Sequence, residues 1–114
     1  YGLGVHWALD LLDNYKNQEI EIIDLNTLVP WDKELVFNSI KKTGKVLLLG
    51  EDTLFNSYLG EISAVISEEV FEHLDAPIVR VGSLDTPVPF AKNLEEGFQA
   101  SYKLKDKLDY LLNY

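Results

Sequence analysis

The chain has 114 residues, of which 46% are hydrophobic and 25% charged, a composition typical of one soluble domain, which we expect to cover residues 1–114. Its formal net charge of −9 argues against nucleic acid or an anionic membrane as a partner, because both are bound through Lys and Arg clusters that this chain does not concentrate anywhere. The absence of cysteine excludes disulfides and thiolate metal ligands. No apolar run approaches the roughly 18 residues that cross a bilayer, so we expect a cytoplasmic protein. The chain also has no methionine, and we expect it to be a piece of a longer polypeptide.

The first predicted element is a helix over about residues 4–16, in which apolar side chains recur at helical spacing from Val5 to Tyr15. Gly2 and Gly4 precede it as a turn does, and a helix entered through such a turn often follows a strand. That strand would lie upstream of Tyr1. The two glycines also suggest a phosphate-binding loop, but the third glycine and the Lys-Ser/Thr pair of such loops are absent, which favours the turn.

A strand near the edge of a sheet is predicted at Ile20–Leu25, where apolar residues are interspersed with acidic ones. The next helix has Asp32 at its N-cap and ends at Gly44, a residue type that commonly terminates helices. Lys41 and Lys42 lie in its last turn, where the helix dipole favours cations.

The run Val46–Leu49 is continuously apolar and predicts a strand at the centre of the sheet, covered by helices on both faces. A polar loop, a helix over about residues 58–74 and a strand at Ile78–Val81 follow. Two prolines within residues 86–90 predict a rigid surface segment, and Ser101 is expected to cap a last helix. This alternation predicts an α/β fold, a three-layer αβα sandwich.

The two histidines, His6 and His73, have no carboxylate or second ligand at the spacing of a metal site or a catalytic triad. His73 is expected in the last turn of a helix, where the dipole stabilises a cation. We therefore predict no catalytic, cofactor-binding or metal-binding residue in this chain.

Two groups of acidic residues each have two interpretations. Glu51 and Asp52 follow the central strand, where open α/β sheets bind ligands, but no base, nucleophile or phosphate-binding loop accompanies them, which favours a helix-capping or interface loop. The second group is either a solvated helix face or a docking surface for a basic partner, and comprises Glu68, Glu69, Glu72 and Asp75. Asp85 is typical of an Asp-initiated turn.

Several segments in a fixed order carry a family resemblance, although each alone is a weak signal. They are Ile23–Asp32, Lys42–Leu47, Gly60–Ile62 with Leu74–Val81, and Asp85–Ala91. Together they resemble the C-terminal domain of the β subunit of the E1 component of 2-oxo acid dehydrogenase complexes, in the transketolase C-terminal domain family. The resemblance covers nearly the whole chain.

The resemblance implies a three-layer αβα domain with a mostly parallel sheet of about five strands, one of which would precede Tyr1. It also implies a parent oxidoreductase that decarboxylates a 2-oxo acid on thiamine diphosphate with magnesium and passes the acyl group to the lipoyl arm of an E2 acyltransferase. In that family the cofactor is held by the α subunit and the N-terminal domain of the β subunit. We therefore expect this domain alone to bind no cofactor.

The resemblance further implies three partners: an E1 α subunit or fused α region, a second E1 β subunit, and the small basic subunit-binding domain of E2. By matching position, Asp75 and the C-terminal carboxylate of Tyr114 are the residues expected to bind the E2 domain. Neither is expected to be catalytic.

Two features depart from the family pattern. Gly50 stands where family members often carry His or another polar residue, and the usual glycine-rich loop is replaced by the bulkier Phe55–Gly60, which argues against close approach of a neighbouring backbone there. The C-terminal residues and the Thr-Pro-Val-Pro segment resemble the branched-chain or general type more than the pyruvate-specific type.

Two other functions remain open at this level. One is the C-terminal domain of a transketolase or deoxyxylulose phosphate synthase, although the loops offer few of the basic residues that a sugar phosphate requires. The other is a free-standing α/β ligand-binding module.

Overall fold

The computed structural model describes all 114 residues. Two strands form a parallel sheet in which Leu47 pairs with Val79 and Leu49 with Val81. The strands are β1 (Leu47–Thr53) and β2 (Val79–Ser83), and the helices are α1 (Leu3–Leu12), α2 (Lys33–Thr43), α3 (Tyr58–Val70), α4 (Lys92–Phe98) and α5 (Ser101–Leu112). Single 3-10 turns continue α1 over Asp13–Tyr15 and α3 over Phe71–His73. None of the helices is both long and apolar enough to span a membrane.

Helices cover both faces of β1, as its continuous apolar run predicts. Val46 and Leu48 pack against a core formed mainly by α2 and α3, with Trp31, Val36, Ile40, Ile62, Ile66 and Val70 buried. Leu47 and Leu49 pack against a second core on the side of α1 and α5, with Ala76, Val79, Val81, Ala100, Leu104 and Leu111 buried. Successive residues of a strand point to opposite faces, so each neighbour in the run enters a different core. The α/β class and the three layers are thus confirmed.

The prediction that Ile20–Leu25 is a strand of the sheet is wrong. These residues have no strand pairing, and the sheet has two strands where the resemblance implied about five. Ile23 and Leu25 nevertheless pack against the α2–α3 core. The apolar pattern therefore identified which side chains are covered, whereas a strand also requires a hydrogen-bonding neighbour, and none lies beside this segment.

The predicted ends of α2 are confirmed. Asp32 Oδ1 accepts a hydrogen bond of 2.9 Å from the backbone N–H of Leu35, and Gly44 adopts the left-handed conformation with φ of 69°. The Gly44 N–H donates to the carbonyl of Ile40 at 2.8 Å, which closes the last turn.

Three boundaries differ from the predictions. Glu51 and Asp52 belong to β1 and not to a loop, because the strand continues to Thr53. The short helix α4 was not predicted. The residue that precedes α5 is Ala100 and not Ser101. Ser101 is the first residue of α5 and its side chain caps nothing.

The ends of the two strands approach each other most closely at Gly82. A Cβ atom at this position would lie 2.6 Å from the backbone oxygen of Asp52 and 2.9 Å from Leu54 Cδ2. The strand pairing is irregular here, between Leu49 and Thr53 of β1. Only a residue without a side chain fits this approach.

Tyr15, Lys105 and Asp109 connect the end of the first helical segment to α5. The Tyr15 hydroxyl donates to one carboxylate oxygen of Asp109, and Lys105 Nζ lies 2.6 Å from the other. The hydrogen bonds from Lys105 and then Tyr15 lower the pKa of Asp109. Desolvation, followed by the hydrogen bond to Asp109, raises the pKa of Tyr15.

We predict that Gly82→Ala lowers the free energy of unfolding by about 1–3 kcal/mol, because the added methyl group meets the backbone of β1. The measurement is the midpoint of urea unfolding at unchanged slope. Gly97→Ala is the control, since a Cβ at Gly97 in α4 meets nothing within 4 Å and alanine favours helix. Equal midpoints for the two variants would contradict the close approach at Gly82.

We also predict that Asp109→Asn destabilises the protein at neutral pH and that this effect fades on acidification. The folded-state pKa of Asp109 lies below the ordinary value of an aspartate carboxyl group, so the ionised carboxylate contributes stability above about pH 4. That contribution is lost as the pH falls through the folded-state pKa. Urea unfolding midpoints at pH 7, 5 and 3 measure the difference between wild type and variant.

Asp106→Asn on the same helix is the matched control and should change the midpoint less at pH 7, since the Asp106 carboxylate forms no hydrogen bond or salt bridge with another side chain. A difference between wild type and Asp109→Asn that grows towards pH 3 would show that the Asp109 carboxylate does not have the stabilising role described.

Candidate partner-binding site

Asp75, predicted to bind a partner, lies at the edge of the sheet where the strands begin. It is exposed in the loop between the Phe71–His73 turn and β2. Its backbone N–H donates to the carbonyl of Gly44 at 2.7 Å, and its carboxylate lies directly against the Cα of Gly44. Any side chain at position 44 would occupy the space of that carboxylate, so Gly44 both ends α2 and positions Asp75.

The chain returns to the same edge at its C-terminus. Lys45 Nζ donates a hydrogen bond of 3.0 Å to the backbone oxygen of Leu112, at the end of α5. Tyr114 is exposed and packs edge to face on Tyr110, with ring centroids 5.9 Å apart. Because Gly44 contacts Asp75 and the adjacent Lys45 contacts the end of α5, both predicted partner-binding residues lie at one edge. We call this the amino edge of the sheet.

Charges of both signs surround the amino edge. Glu72 is exposed and its Oε1 lies 3.5 Å from His73 Nε2. Lys41 and Lys42 are exposed in the last turn of α2, immediately before Gly44. The amino group of Lys45 is held on the end of α5, where the helix dipole favours a cation. The carboxylate of Asp75 forms no ion pair, so it is free to contact a basic side chain.

The exposed face of α3 carries further acidic residues. Glu68 and Glu69 in α3 and Glu72 in the turn that follows are all exposed, as expected of a solvated helix face. They carry no salt bridge to another element. Together with Asp75 they place four exposed carboxylates on α3 and the segment that follows it.

Glu51 caps a helix, which was one of the roles considered for the Glu51-Asp52 pair in the sequence analysis. Its Oε1 accepts a hydrogen bond of 2.6 Å from the backbone N–H of Leu3, in the first turn of α1. A carboxylate is favourable there because the N-terminal N–H groups of a helix are unsatisfied and partially positive. Partial burial, followed by the charges of Asp52 and Glu51, raises the pKa of the Tyr1 phenol. The Gly2–Gly4 turn is thus occupied by a carboxylate of the protein itself.

The loops after β1 and β2 lie at the opposite edge, which we call the carboxyl edge. The backbone N–H of Phe55 donates to Asp85 Oδ1 at 2.8 Å, which joins the two loops. Their apolar side chains point to solvent: Phe55 is 81% exposed, Val88 62% and Phe90 fully. Phe55 therefore projects outward, whereas Tyr58, Leu59 and Gly60 of the predicted loop form the first turn of α3, where Leu59 is buried.

Both histidines are exposed on the surface of the domain. His6 is exposed on α1, and His73 contacts only Glu72 among charged groups. No three His, Asp or Glu side chains converge in a way that could hold a metal ion. Gly50 is buried, and a Cβ atom there would lie 3.2 Å from Leu59 Cδ1 and 3.3 Å from the hydroxyl of Tyr1.

The sequence analysis named Asp75 and Tyr114 as candidates from the resemblance but not the residues that position them. Lys45 contacts Leu112 across 67 residues of sequence, and the contact of Asp75 with Gly44 is also a tertiary one. The local signal at Gly44 indicated a helix end and nothing more.

Comparison with known proteins gives a consistent result. The family model of the transketolase C-terminal domain matches residues 1–103. The chain is 41% identical over 104 residues to the 2-oxoisovalerate dehydrogenase subunit beta of Bacillus subtilis (strain 168), covering 89% of this chain and 32% of that protein. It is 41% identical over 97 residues to the pyruvate dehydrogenase E1 component subunit beta of Mycoplasma pneumoniae, covering 85% of this chain and 30% of that protein.

A plant protein is also similar over a shorter range. The chain is 49% identical over 69 residues to the mitochondrial 2-oxoisovalerate dehydrogenase subunit beta 2 of Arabidopsis thaliana, covering 60% of this chain and 19% of that protein. The chain thus spans about a third of the length of the bacterial relatives. Since the family model matches all but the last residues, the chain belongs to the transketolase C-terminal domain family.

Proposed function

We propose that this chain is the C-terminal domain of the β subunit of a 2-oxo acid dehydrogenase E1 component, and that it serves subunit assembly and docking of E2. The observation that carries the proposal is the 41% identity to a 2-oxoisovalerate dehydrogenase β subunit over 89% of the chain. The parent protein would be an oxidoreductase that decarboxylates a 2-oxo acid and transfers the acyl group to lipoyl-E2. The reaction would take place outside these residues.

The parent enzyme of this proposal uses thiamine diphosphate and magnesium, and the side chains of this domain do not fit either group. No three His, Asp or Glu side chains lie close enough together to hold a metal ion. The carboxylate of Glu51 lies on the first turn of α1, where it would repel a diphosphate. We therefore assign both groups to the rest of the parent, and no step of the reaction to residues of this chain.

Docking of the E2 subunit-binding domain is assigned to the amino edge, through Asp75 and the terminal carboxylate of Tyr114. Two features support the assignment. Gly44 and Lys45 bring the two segments to the same edge, and Asp75 forms no ion pair within the chain. A small basic domain would meet these carboxylates with complementary charge, which accelerates association and fixes orientation.

Assembly with an E1 α subunit and a second E1 β subunit is assigned to the carboxyl edge. Phe55, Val88 and Phe90 expose apolar surface on two loops that a hydrogen bond holds together. Permanent subunit interfaces are more apolar than transient ones, which suits these loops better than the charged amino edge.

The alternatives are less well supported. The relatives reported above are named as β subunits of 2-oxoisovalerate or pyruvate dehydrogenase and not as transketolases or deoxyxylulose phosphate synthases. They also disfavour a free-standing ligand-binding module.

The resemblance of the C-terminal residues to the branched-chain type makes 2-oxoisovalerate the first substrate to assay in the parent. The cytoplasmic location stays a prediction, and cell fractionation would test it.

We predict that Asp75→Lys weakens binding of the E2 subunit-binding domain at least about tenfold, which corresponds to roughly 1.4 kcal/mol. The reason is that the variant places a cation against the basic partner in place of an exposed carboxylate. Isothermal titration calorimetry at 50 and 500 mM salt measures the effect, and the difference from wild type should shrink at high salt.

Asp52→Lys is the matched control. It makes the same charge change at an exposed position of β1, at the carboxyl edge, and should change affinity less than about threefold if only local charge counts. Equal losses for Asp52→Lys and Asp75→Lys would show that net charge, and not the amino edge, determines binding. Binding that does not respond to salt would contradict the electrostatic contact itself.

The role of Tyr114 gives a separate prediction. Two glycines added after Tyr114 move the terminal carboxylate away from α5 and should weaken binding of the E2 domain severalfold, by loss of one ion pair. Tyr114→Phe keeps that carboxylate and should bind as wild type does. If the extension leaves the dissociation constant unchanged while Asp75→Lys raises it, Tyr114 is not part of the site.

A further inference from the structure

The end of α5 presents two tyrosine rings to solvent. Tyr110 is 52% exposed and Tyr114 62%, although burial stabilises a large aromatic ring. The rings pack edge to face on each other, which stabilises a helix only slightly. The tyrosine hydroxyls that donate hydrogen bonds within the chain are those of Tyr15 and Tyr58. Contacts within the domain therefore do not explain the aromatic surface at the end of α5.

Tyr110 lies on the flank of α5 that faces away from α1. Leu111 is buried in the core between α5 and the sheet, and Asp109 accepts the hydrogen bond from Tyr15 at the end of the first helical segment. Successive residues of a helix are about 100° apart, so Tyr110 and Asp109 lie on opposite flanks of Leu111. Because α1 packs on β1 and α5 packs on β2, the flank with Tyr110 faces the outer side of β2.

The segment with Asp75 leads into β2 on this same side of the domain. Ala76, the next residue, is buried in the core that Leu111 also enters. Asp75 lies against Gly44, and the adjacent Lys45 donates to the carbonyl of Leu112 at 3.0 Å. These contacts hold the end of α5 beside Asp75. The ring pair and Asp75 therefore lie within the roughly 800 Å² that a partner covers on one side of a standard interface.

The two rings are available to a cation from outside the chain. Lys33 lies over Trp31, whereas no Lys or Arg of the chain lies over Tyr110 or Tyr114. The preceding turn of α5 carries one exposed carboxylate and one exposed ammonium group, those of Asp106 and Lys107, whose charges oppose each other. The negative face of a tyrosine ring attracts a cation, and tyrosine is enriched among the residues that dominate the binding energy of interfaces.

We infer that Tyr110, with the ring of Tyr114, is a further part of the docking site at the amino edge and receives a cationic side chain of the basic E2 subunit-binding domain. The inference rests on the proposed function. Asp75 would attract the basic domain through its charge. The ring pair would supply the aromatic contact, buried on binding, that an exposed carboxylate does not provide.

Isothermal titration calorimetry of the parent E1 protein with the E2 subunit-binding domain tests the inference. Tyr110→Ala should raise the dissociation constant at least about tenfold, because the ring is lost. Tyr110→Phe keeps the ring and should bind as wild type does. Tyr110→Leu should bind as weakly as Tyr110→Ala, since leucine keeps apolar area but has no π-system.

Tyr102→Ala is the matched control. Tyr102 is 75% exposed on the same helix, about 12 Å from Tyr110 towards the carboxyl edge, and its removal should leave the affinity unchanged. Equal losses for Tyr102→Ala and Tyr110→Ala would overturn the inference, because the effect would then not belong to the amino edge. Wild-type affinity of Tyr110→Leu would overturn the cation contact.

The variant Asp75→Lys separates failure of the inference from failure of the proposed function. If Asp75→Lys weakens binding and Tyr110→Ala does not, the inference is wrong and the proposed docking site stands. If wild type does not bind the E2 domain, or if neither variant alters the affinity, the proposed function fails and the inference fails with it.

Hydrogen exchange measured by mass spectrometry gives a second arm that needs no variant. Binding of the E2 domain to the wild-type parent should slow exchange of the amides of residues 74–76 and 110–114 together, because one partner covers both segments. Exchange of residues 101–105 should not change. Slower exchange at residues 74–76 alone would overturn the inference.

Discussion

Burial of β1 on both faces is the constraint on which the rest of the structure depends. Leu48 contributes to the core between the sheet and α2 and α3, while Leu47 and Leu49 contribute to the core under α1 and α5. Full burial of an aliphatic side chain contributes about 1.5–3 kcal/mol relative to exposure, and these half-buried leucines each contribute part of that. A strand that supplies both cores forces the helices onto opposite faces, and this layering fixes which loops meet at each edge of the sheet.

The sequence predicts the fold well where the signal is local. The Asp32 cap, the Gly44 terminus and the apolar run of β1 each depend on a few neighbouring residues, and all three are confirmed. The segment Ile20–Leu25 shows the limit, because its pattern resembles a strand while pairing depends on what lies beside it. The short helix α4 was not predicted from the residues between the Pro-rich segment and α5.

Prediction of the candidate partner-binding residues has the same limit. Asp75 and Tyr114 were named from a resemblance, since nothing in composition or spacing distinguishes them from other surface residues. Their shared edge follows from the contacts of Gly44 and Lys45, which join segments about 30 and 67 residues apart. Glu51 illustrates the reverse: the sequence left a ligand site open beside the favoured capping or interface role, and the structure shows that its carboxylate accepts from the first turn of α1. Which hydrogen-bond partner a side chain takes depends on the groups that lie near it in the folded protein. The linear sequence does not show which groups these are.

The direction of the parallel strands separates two kinds of surface on one small domain. Helix C-termini and strand beginnings meet at the amino edge, where Asp75 and the end of α5 present charge to solvent. Strand ends meet at the carboxyl edge, where Phe55 and Phe90 present apolar surface. Exposed charge favours rapid, salt-sensitive and reversible contacts, whereas apolar surface favours lasting ones. The proposed function uses this arrangement: the domain would remain fixed in an assembly through one edge and exchange a mobile partner at the other, because the sheet that lies between the edges keeps the two contacts from competing for the same residues.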